Sequence, residues 1–543
     1  MRKSFRMVLC FLLIVLLLVS ASACGGTKED SKAAESTVQQ TDITQKDDSK
    51  TTDKTTADTA VYDVKIGLWG TATAGNDVIS DFLNKKFNIN LSFQDFQWGD
   101  YLDKLNVQAA SGDLPDMFGH PGYSDVKGMA TFTQWIKNGV LRPLPDDVMG
   151  KYGNIANILK DYDYFKVDNK RYFIPRVAWQ PGNDFLSQAL WVRTDWMKNV
   201  GITEMPKNLN ELYTVLKAFT FNDPDKNSKN DTYGMSRNGQ EMWIWDAYGL
   251  DYQTWIKEDG QWIPAMLSKR NVEPIKYLKK LYDDKILDPD FFVLKEEQGK
   301  DKFLSGKTGV LMWTTEAYQI KAELVDKMMK INPDWGTKVV DIMPPVPGPE
   351  GQYICKNAYN FWSGTIFSAK VDDKKMDRLL QFYDYLLSPE GLELNRFGIA
   401  DVNFKKNGDV YESLLPKDTS TGLPKSLNTE VPTSNIKSLV TWDSDGRWLE
   451  PSMPKECVDM EKKACMLLRD KQDKSDPRIY FMSTPAKDTL DIYPEFWNVV
   501  TKCVLKSKDV EADFESFRQA ALKKGGDQAI KEVNEKAKEL GIQ

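Results

Sequence analysis

The run Asp223-Pro224-Asp225-Lys226-Asn227-Ser228-Lys229-Asn230-Asp231 places oxygen-bearing side chains at positions 1, 3, 5 and 9 of a loop. That spacing matches the first part of an EF-hand. Ca²⁺ is a hard cation that takes several oxygens at about 2.3–2.6 Å. Asp223, Asp225, Asn227 and Asp231 offer side-chain oxygens, and the backbone carbonyl of Lys229 would fill position 7. Position 6 is Ser228 rather than glycine, and position 12 is Gly234, so the usual bidentate glutamate is missing. A Ca²⁺ here would be structural and would not touch a ligand. The same residues also suit an Asp/Asn turn that caps the helix before it.

The second chemistry is that of aromatic faces among polar neighbours. The chain has 16 tryptophans. A sugar has an apolar C–H face and a rim of hydroxyls, so flat rings cover the face and Asp, Asn, Arg or Glu bind the rim. Trp313 is followed by Thr314, Thr315 and Glu316; Trp243 and Trp245 follow a Gly/Asn/Gln turn; Tyr359 and Trp362 share a short run; Trp442 sits in a polar stretch. Trp69 closes the first alternating segment. The best candidates for ligand contact are Trp313, Trp362 and Trp245, with Trp69, Trp243, Glu316, Tyr359 and Trp442 behind them. Any one of these rings is also a possible core residue. Asp116, expected at the end of a third strand, is either a hydroxyl acceptor or a helix cap. Arg171, Arg176 and Arg193 either face an acidic guest or form ordinary salt bridges.

Other chemistries find little support. The single histidine, His120, excludes a multi-histidine metal site and reads as a loop residue near a cleft wall. No G-x-S-x-G, P-loop or H-E-x-x-H pattern occurs, and no catalytic residue is assigned. A pair of carboxylates at glycosidase spacing stays open. The formal charge of −7 opposes nucleic-acid binding. Cys355, Cys457, Cys465 and Cys503 are too few for a disulfide framework in so long a chain and are expected as buried thiols.

The N-terminus adds a different chemistry. Arg2, Lys3 and Arg6 precede a wholly apolar run from Val8 to Val19. That run is too short to span roughly 30 Å of hydrocarbon and fits a secretory signal. Ala21-Ser22-Ala23-Cys24 then looks like a bacterial lipobox, which makes Cys24 the lipidated first residue of the mature chain. A diacylglyceryl group and an N-acyl chain such as palmitate would anchor it stably to membrane lipid, on the extracytoplasmic face of the cell membrane. An ordinary signal with a chance cysteine after it is the alternative. Losing the signal takes the charge to about −10. Residues 24–61 read as the anchored cysteine and a disordered polar tether with a reach of roughly 30 Å.

These groups need elements to position them. Val64-Lys65-Ile66-Gly67-Leu68-Trp69 alternates as a strand, Asp77 to Phe87 is amphipathic, Ile89 to Phe93 alternates, Trp98 to Ser111 is helical and Asp116-Met117-Phe118 is a short strand. Strand–helix–strand–helix–strand predicts an α/β lobe with a parallel sheet, which binds ligands beyond the carboxyl ends of its strands. Some 480 residues after the tether are too many for one core, so two or more lobes are expected.

At this point the chain resembles a known family. The helix ending Ala109-Ala110-Ser111-Gly112-Asp113, then Leu114-Pro115-Asp116-Met117-Phe118, is similar to family 1 extracellular solute-binding proteins of ABC importers. Trp191-Val192-Arg193-Thr194-Asp195-Trp196, the segment Phe303 to Trp313 and the Leu379–Leu394 helix pair with Tyr385-Leu386-Leu387-Ser388-Pro389-Glu390-Gly391 keep the family order. Val310 stands where alanine is commoner. The length and acidic loop look most like the large oligosaccharide binders of the alginate type, which carry a comparable calcium loop.

The resemblance implies an α/β, two-lobe, periplasmic-binding-protein-like fold. Each lobe would be a mainly parallel sheet flanked by helices, with several hinge crossovers. Lobe one would take 62–175 and 355–405, lobe two 176–354 and 440–543, and 406–439 would connect them. The run Pro344-Pro345-Val346-Pro347-Gly348-Pro349 suits a crossing segment. It also implies a monomer that captures an oligosaccharide between its lobes, closes and docks on ABC permease subunits, with no chemistry on the ligand. A peptide or another small solute as ligand, a sensor kinase as partner, and a surface glycosidase are the rival expectations.

Overall fold

The alternating run Tyr62–Trp69 forms a strand in which Val64, Ile66 and Leu68 are fully buried. The structure, a computed structural model, describes residues 59–97, 100–120, 126–163, 165–177, 188–237, 242–355, 361–408, 410–419, 421–441, 449–471 and 476–542. Cys24, the tether, Tyr359 and Trp442 lie outside the described residues.

In chain order the strands are β1 (Tyr62–Trp69), β2 (Ile89–Phe96), β3 (Met117–His120), β4 (Leu141–Arg142), β5 (Ile174–Val177), β6 (Gln188–Arg193), β7 (Tyr233–Met235), β8 (Trp255–Glu258), β9 (Gln261–Pro264), β10 (Thr308–Thr314), β11 (Val340–Ile342), β12 (Phe361–Ser368), β13 (Phe404–Asn407) and β14 (Val410–Ser413). One sheet has the order β2-β1-β3-β12-β4, with β5 also paired to β12. A second has the order β11-β6-β10-β7, and β8-β9 and β13-β14 are hairpins. The chain passes from the first sheet to the second between Val177 and Gln188 and returns between Ile342 and Phe361, a passage that holds the proline run.

The two-lobe α/β expectation holds, but mainly parallel sheets do not. β1 runs parallel to β2 and β3 in the first sheet, and β10 runs parallel to β7 in the second. β12 is antiparallel to β3, β4 and β5, and β6 is antiparallel to both β10 and β11. Connectivity is the reason. β3 ends at His120, opposite Gly364 near the start of β12. A strand arriving from the other sheet begins where the parallel strands end, so it runs the opposite way.

Both sheets press a phenylalanine ring against a glycine. A Cβ on Gly364 of β12 would sit 1.9 Å from the Phe173 ring, and one on Gly309 of β10 would sit 2.1 Å from Phe219. Alanine at either site would force the aromatic ring out of the core.

The first sheet has two cores. One packs Val64, Ile66 and Leu68 on Leu379, Phe382, Tyr383 and Leu386; the other is aromatic, with Phe96, Phe118, Phe132, Phe173 and Phe361. Leu427, Val431, Ile436 and Leu439, from the stretch read as connecting, belong to the first of these cores. The second sheet packs Trp196, Phe219, Trp245, Tyr252 and Phe496 on one side and Trp191, Leu311, Leu324 and Cys465 on the other. The helix Pro477–Phe481 serves both lobes. Its Phe481 stacks on Phe361 at 5.2 Å, while Ile479 packs with Val533 and Ala537 of the C-terminal helix Asp527–Glu539.

His120 is not a loop residue. It ends β3 fully buried beside Phe132 and Trp135, and burial lowers its pKa to about 3, so the imidazole is neutral. Cys355, Cys457, Cys465 and Cys503 are all buried, and burial pushes the Cys457 thiol up to about 12. Among the described residues no helix is long and apolar enough to cross a membrane.

Candidate functional site

Strand ends build the site. β1 ends at Trp69, β6 begins at Gln188 and β10 ends in Trp313-Thr314, and all four residues border one cavity of about 1300 Å³. Arg176 of β5, Asn395 of the helix Pro389–Phe397 and Asn435 to Thr441 add to the first-sheet wall. Glu316 to Lys330 form much of the second-sheet wall.

Trp69 is held from several sides. Tyr101 meets it edge-on at 5.4 Å, and the Arg176 guanidinium lies 5.5 Å from its ring. Asn435 Nδ2 donates to the Trp69 carbonyl at 2.9 Å and to the Gly70 carbonyl at 3.0 Å. The segment bearing Asn435 is itself tied down, because Asp77, the N-cap of the helix Val78–Phe87, accepts from the Thr433 N–H. Tyr101 donates to the Gly119 carbonyl, and burial pushes its phenol well above the usual range.

On the facing wall, the Lys300 ammonium lies 4.3 Å from the Trp313 ring centroid. The buried Trp313 Nε1 has no acceptor among the described residues. Gln188 Oε1, and both polar atoms of the fully buried Asn395 carboxamide, likewise have no partner there. Such atoms cost stability until something bonds to them. Tyr318 and Met329 stand 44% and 43% exposed on the same wall, so they offer apolar surface to a guest.

Charge on the wall is largely paired. Lys321 meets Asp326 at 2.7 Å, Lys437 meets Glu450 at 3.3 Å, and Lys425 meets Glu430 at 3.0 Å. The wall therefore combines two indoles, amides, hydroxyls and ion pairs, which suits a polar guest with apolar faces. Arg193 and Arg171 are engaged by Asp195 and Asp163. Of the three arginines only Arg176 borders the cavity.

The cavity gathers Trp69, Trp313 and Glu316 from the residues singled out in the sequence. It does not take Trp243 or Trp245. The helix Met242–Ala247 is embedded, both indoles are buried in the second-sheet core, and Trp245 Nε1 donates to Asn271 at 2.8 Å. Asp116 is also elsewhere. It precedes β3 rather than ending it, and its carboxylate accepts from the Lys65 N–H at 2.8 Å and pairs with Lys375 at 2.8 Å. Trp362 lies in β12; its side chain is outside the described residues. Gln188, Tyr318, Asn395 and Asn435 were missed. Asn395 had a signal, a polar residue on the buried face of an amphipathic helix.

The acidic loop lies apart from the cavity, after the helix Leu209–Phe221. Asp223, Lys226 and Ser228 take left-handed φ of 48°, 56° and 62°. Asp223 accepts from the N–H groups of Asn227 and Ser228, each at 3.0 Å. Asn227 Nδ2 stands between Asp225 and Asp231, at 2.8 and 3.0 Å, and Lys307 pairs with Asp231 at 2.7 Å. Asp225 Oδ1 is buried with no partner among the described residues. Burial, with added repulsion from Asp231 and Asp223, raises the Asp225 pKa. A cation at this loop would relieve both the repulsion and the unmet oxygen. Among the described residues no group of three or more His, Cys, Asp or Glu side chains is placed so that it could hold a metal ion.

The family pattern of bacterial extracellular solute-binding proteins matches residues 71–393. Lipoprotein LipO of Bacillus subtilis is 29% identical over 59% of this chain and 62% of its own length. The fructooligosaccharide ABC transporter substrate-binding protein FusA of Streptococcus pneumoniae is 26% identical over half of each chain. The chain thus spans half to three-fifths of these relatives. In fold it is similar to FusA in complex with kestose (TM-score 0.63, 18% identity, 88% of this chain and 99% of that one). It is also similar to alginate-binding protein AlgQ2 (TM-score 0.64, 17% identity, 88% and 98%). With more than half of its length matched, and with two lobes facing one cavity, the chain belongs to the bacterial extracellular solute-binding protein family.

Proposed function

We propose that this protein captures an oligosaccharide between its lobes and delivers it to the permease of an ABC importer, without chemistry on the ligand. The observation that carries the reading is that Trp69 and Trp313, at strand ends of different sheets, border one cavity. A ligand stacked on both contacts both lobes, so its binding favours the closed form. FusA, an ABC transporter protein solved with kestose, supports the ligand class and the partner. Calorimetric titration against neutral and acidic oligosaccharides, with tripeptides as controls, tests it. Saturable binding of a sugar without turnover is expected; binding of peptides alone, or sugar cleavage, overturns it.

Two further roles belong to the same reading. Cys24 anchors the protein as a monomer to membrane lipid through the lipobox, and mass spectrometry of membrane-extracted protein tests the acylation. The loop of Asp223, Asp225, Asn227, Asp231 and the Lys229 carbonyl holds a structural Ca²⁺. The buried, unmet Asp225 Oδ1 supports this, as does the EF-hand named for FusA. When bound, the ion neutralises the crowded carboxylates.

A further inference from the structure

Lys300 does not line the cavity, yet it touches the part of the wall that does. Its side chain is only 3% exposed on the helix Glu296–Leu304. Its ammonium lies 4.3 Å from the Trp313 ring centroid and pairs with Glu297 at 2.8 Å and Glu323 at 3.1 Å. Burial works against the charge, but the hydrogen bonds to the two glutamates outweigh it and hold the ammonium above the ordinary lysine value. Glu323 sits in the segment Ile320–Val325, within the stretch that supplies Gln319, Lys321 and Ala322 to the wall. One buried cation therefore ties the tryptophan at the end of β10 to the wall segment beside it.

The indole has no other described polar anchor, since Trp313 Nε1 lacks an acceptor among the described residues. The ring also packs against the apolar core that holds Phe303 and Leu324. Apolar packing restricts the ring, and a cation above it adds a directional preference, because the attraction is strongest when the π face is turned to the ammonium.

We propose that Lys300 is a positioning residue for ligand capture: it covers one face of Trp313 and locks the ring so that the opposite face meets the ligand. It acts through Trp313 and does not contact the ligand. The inference rests on the cavity being the oligosaccharide site.

The test has two arms. The first titrates kestose and trigalacturonate calorimetrically into wild type, Lys300→Met, Lys300→Arg, Trp313→Ala and the Lys300→Met/Trp313→Ala double variant. For whichever sugar binds wild type, Lys300→Met is expected to weaken binding about three- to tenfold. Lys300→Arg should restore most of it, and Lys300→Met should cost nothing further in the Trp313→Ala background. An equal loss in both backgrounds, or no loss in either, overturns the proposal. The second arm needs no sugar. In protein labelled with 5-fluorotryptophan, the ¹⁹F resonance that disappears in Trp313→Phe is followed. It should shift in Lys300→Met and return towards wild type in Lys300→Arg, while the resonance assigned to Trp69 stays put. An unmoved Trp313 resonance in a Lys300→Met protein that melts cooperatively overturns the proposal. Absence of sugar binding in wild type would sink the functional reading and leave this second arm to judge Lys300.

Discussion

Asp77 and Thr433 are 356 residues apart in sequence, and a carboxylate joins them: Asp77 Oδ2 accepts from the Thr433 N–H at 2.8 Å. Its other oxygen caps the helix Val78–Phe87, accepting from Ile79 and Ser80 at 3.0 and 3.1 Å. One side chain thus fixes both the helix after β1 and the segment that carries Asn435 to the cavity. Asp77→Ala should cost about 1–3 kcal/mol, from the lost cap and the unmet Thr433 N–H. Ligand affinity should fall with it, whereas Asp77→Asn should retain most of both. Denaturant melts and ligand titration read the two effects separately.

Tryptophans in the wall and in the core should respond in opposite ways. Trp313→Ala and Trp69→Ala should abolish most sugar affinity with a small effect on stability. Trp245→Ala removes a fully buried ring and should cost about 3–5 kcal/mol, with affinity unchanged in whatever fraction stays folded. Thermal melts paired with calorimetry would show the split, and loss of affinity in Trp245→Ala alone would contradict it.

Asn395 has both carboxamide atoms buried and unmet among the described residues. Replacement by leucine, which is close in shape, removes the unmet groups. Asn395→Leu should therefore leave stability unchanged or raise it by about 1–2 kcal/mol while weakening the ligand. A stability loss with affinity intact would place its partner within the protein.

Calcium and protons should compete at Asp225. Its pKa is raised by burial and by the neighbouring carboxylates, so the folded state takes up a proton there at higher pH than the unfolded chain does. Acid therefore favours the protonated loop and weakens Ca²⁺ binding. The melting rise on adding Ca²⁺ should be largest at pH 7 to 8 and shrink towards pH 4. Asp225→Asn should blunt it throughout. A melting temperature indifferent to Ca²⁺ and to chelator at pH 7.5 would remove the ion from the loop.

Lys487 gives a second pH signature. It is 7% exposed, its Nζ donates to the Met482 carbonyl at 2.6 Å, and burial lowers its pKa to about 8. A lysine with a lowered folded pKa is bound by more protons when unfolded between that value and about 10.4. Its contribution to stability therefore rises with pH across that window. Denaturant melts at pH 7.5 and 9.5 should show the rise in wild type and a flatter profile in Lys487→Met.

Much of the lobe architecture is legible in the order of apolar residues. Val64, Ile66 and Leu68 announce β1, and Phe514, Val533 and Ala537 announce the C-terminal helices, because burial leaves a periodic trace in the chain. Strand direction leaves no such trace. β12 reads the same whether it runs parallel or antiparallel, and only the passage between sheets decides.

The sequence alone pointed to indoles beside polar side chains as the ligand-contacting chemistry, with no motif for a reaction. It also determined the acidic loop, because those donors are neighbours in the chain. Which indoles face the cavity was decided by tertiary structure. Trp245 and Trp313 both stand among polar residues in sequence, yet one is enclosed by Tyr252, Phe496 and Trp497 while the other ends a strand at the space between two sheets. The reason is physical. A ring's exposure depends on partners hundreds of residues away, and local pattern records only the neighbours along the chain.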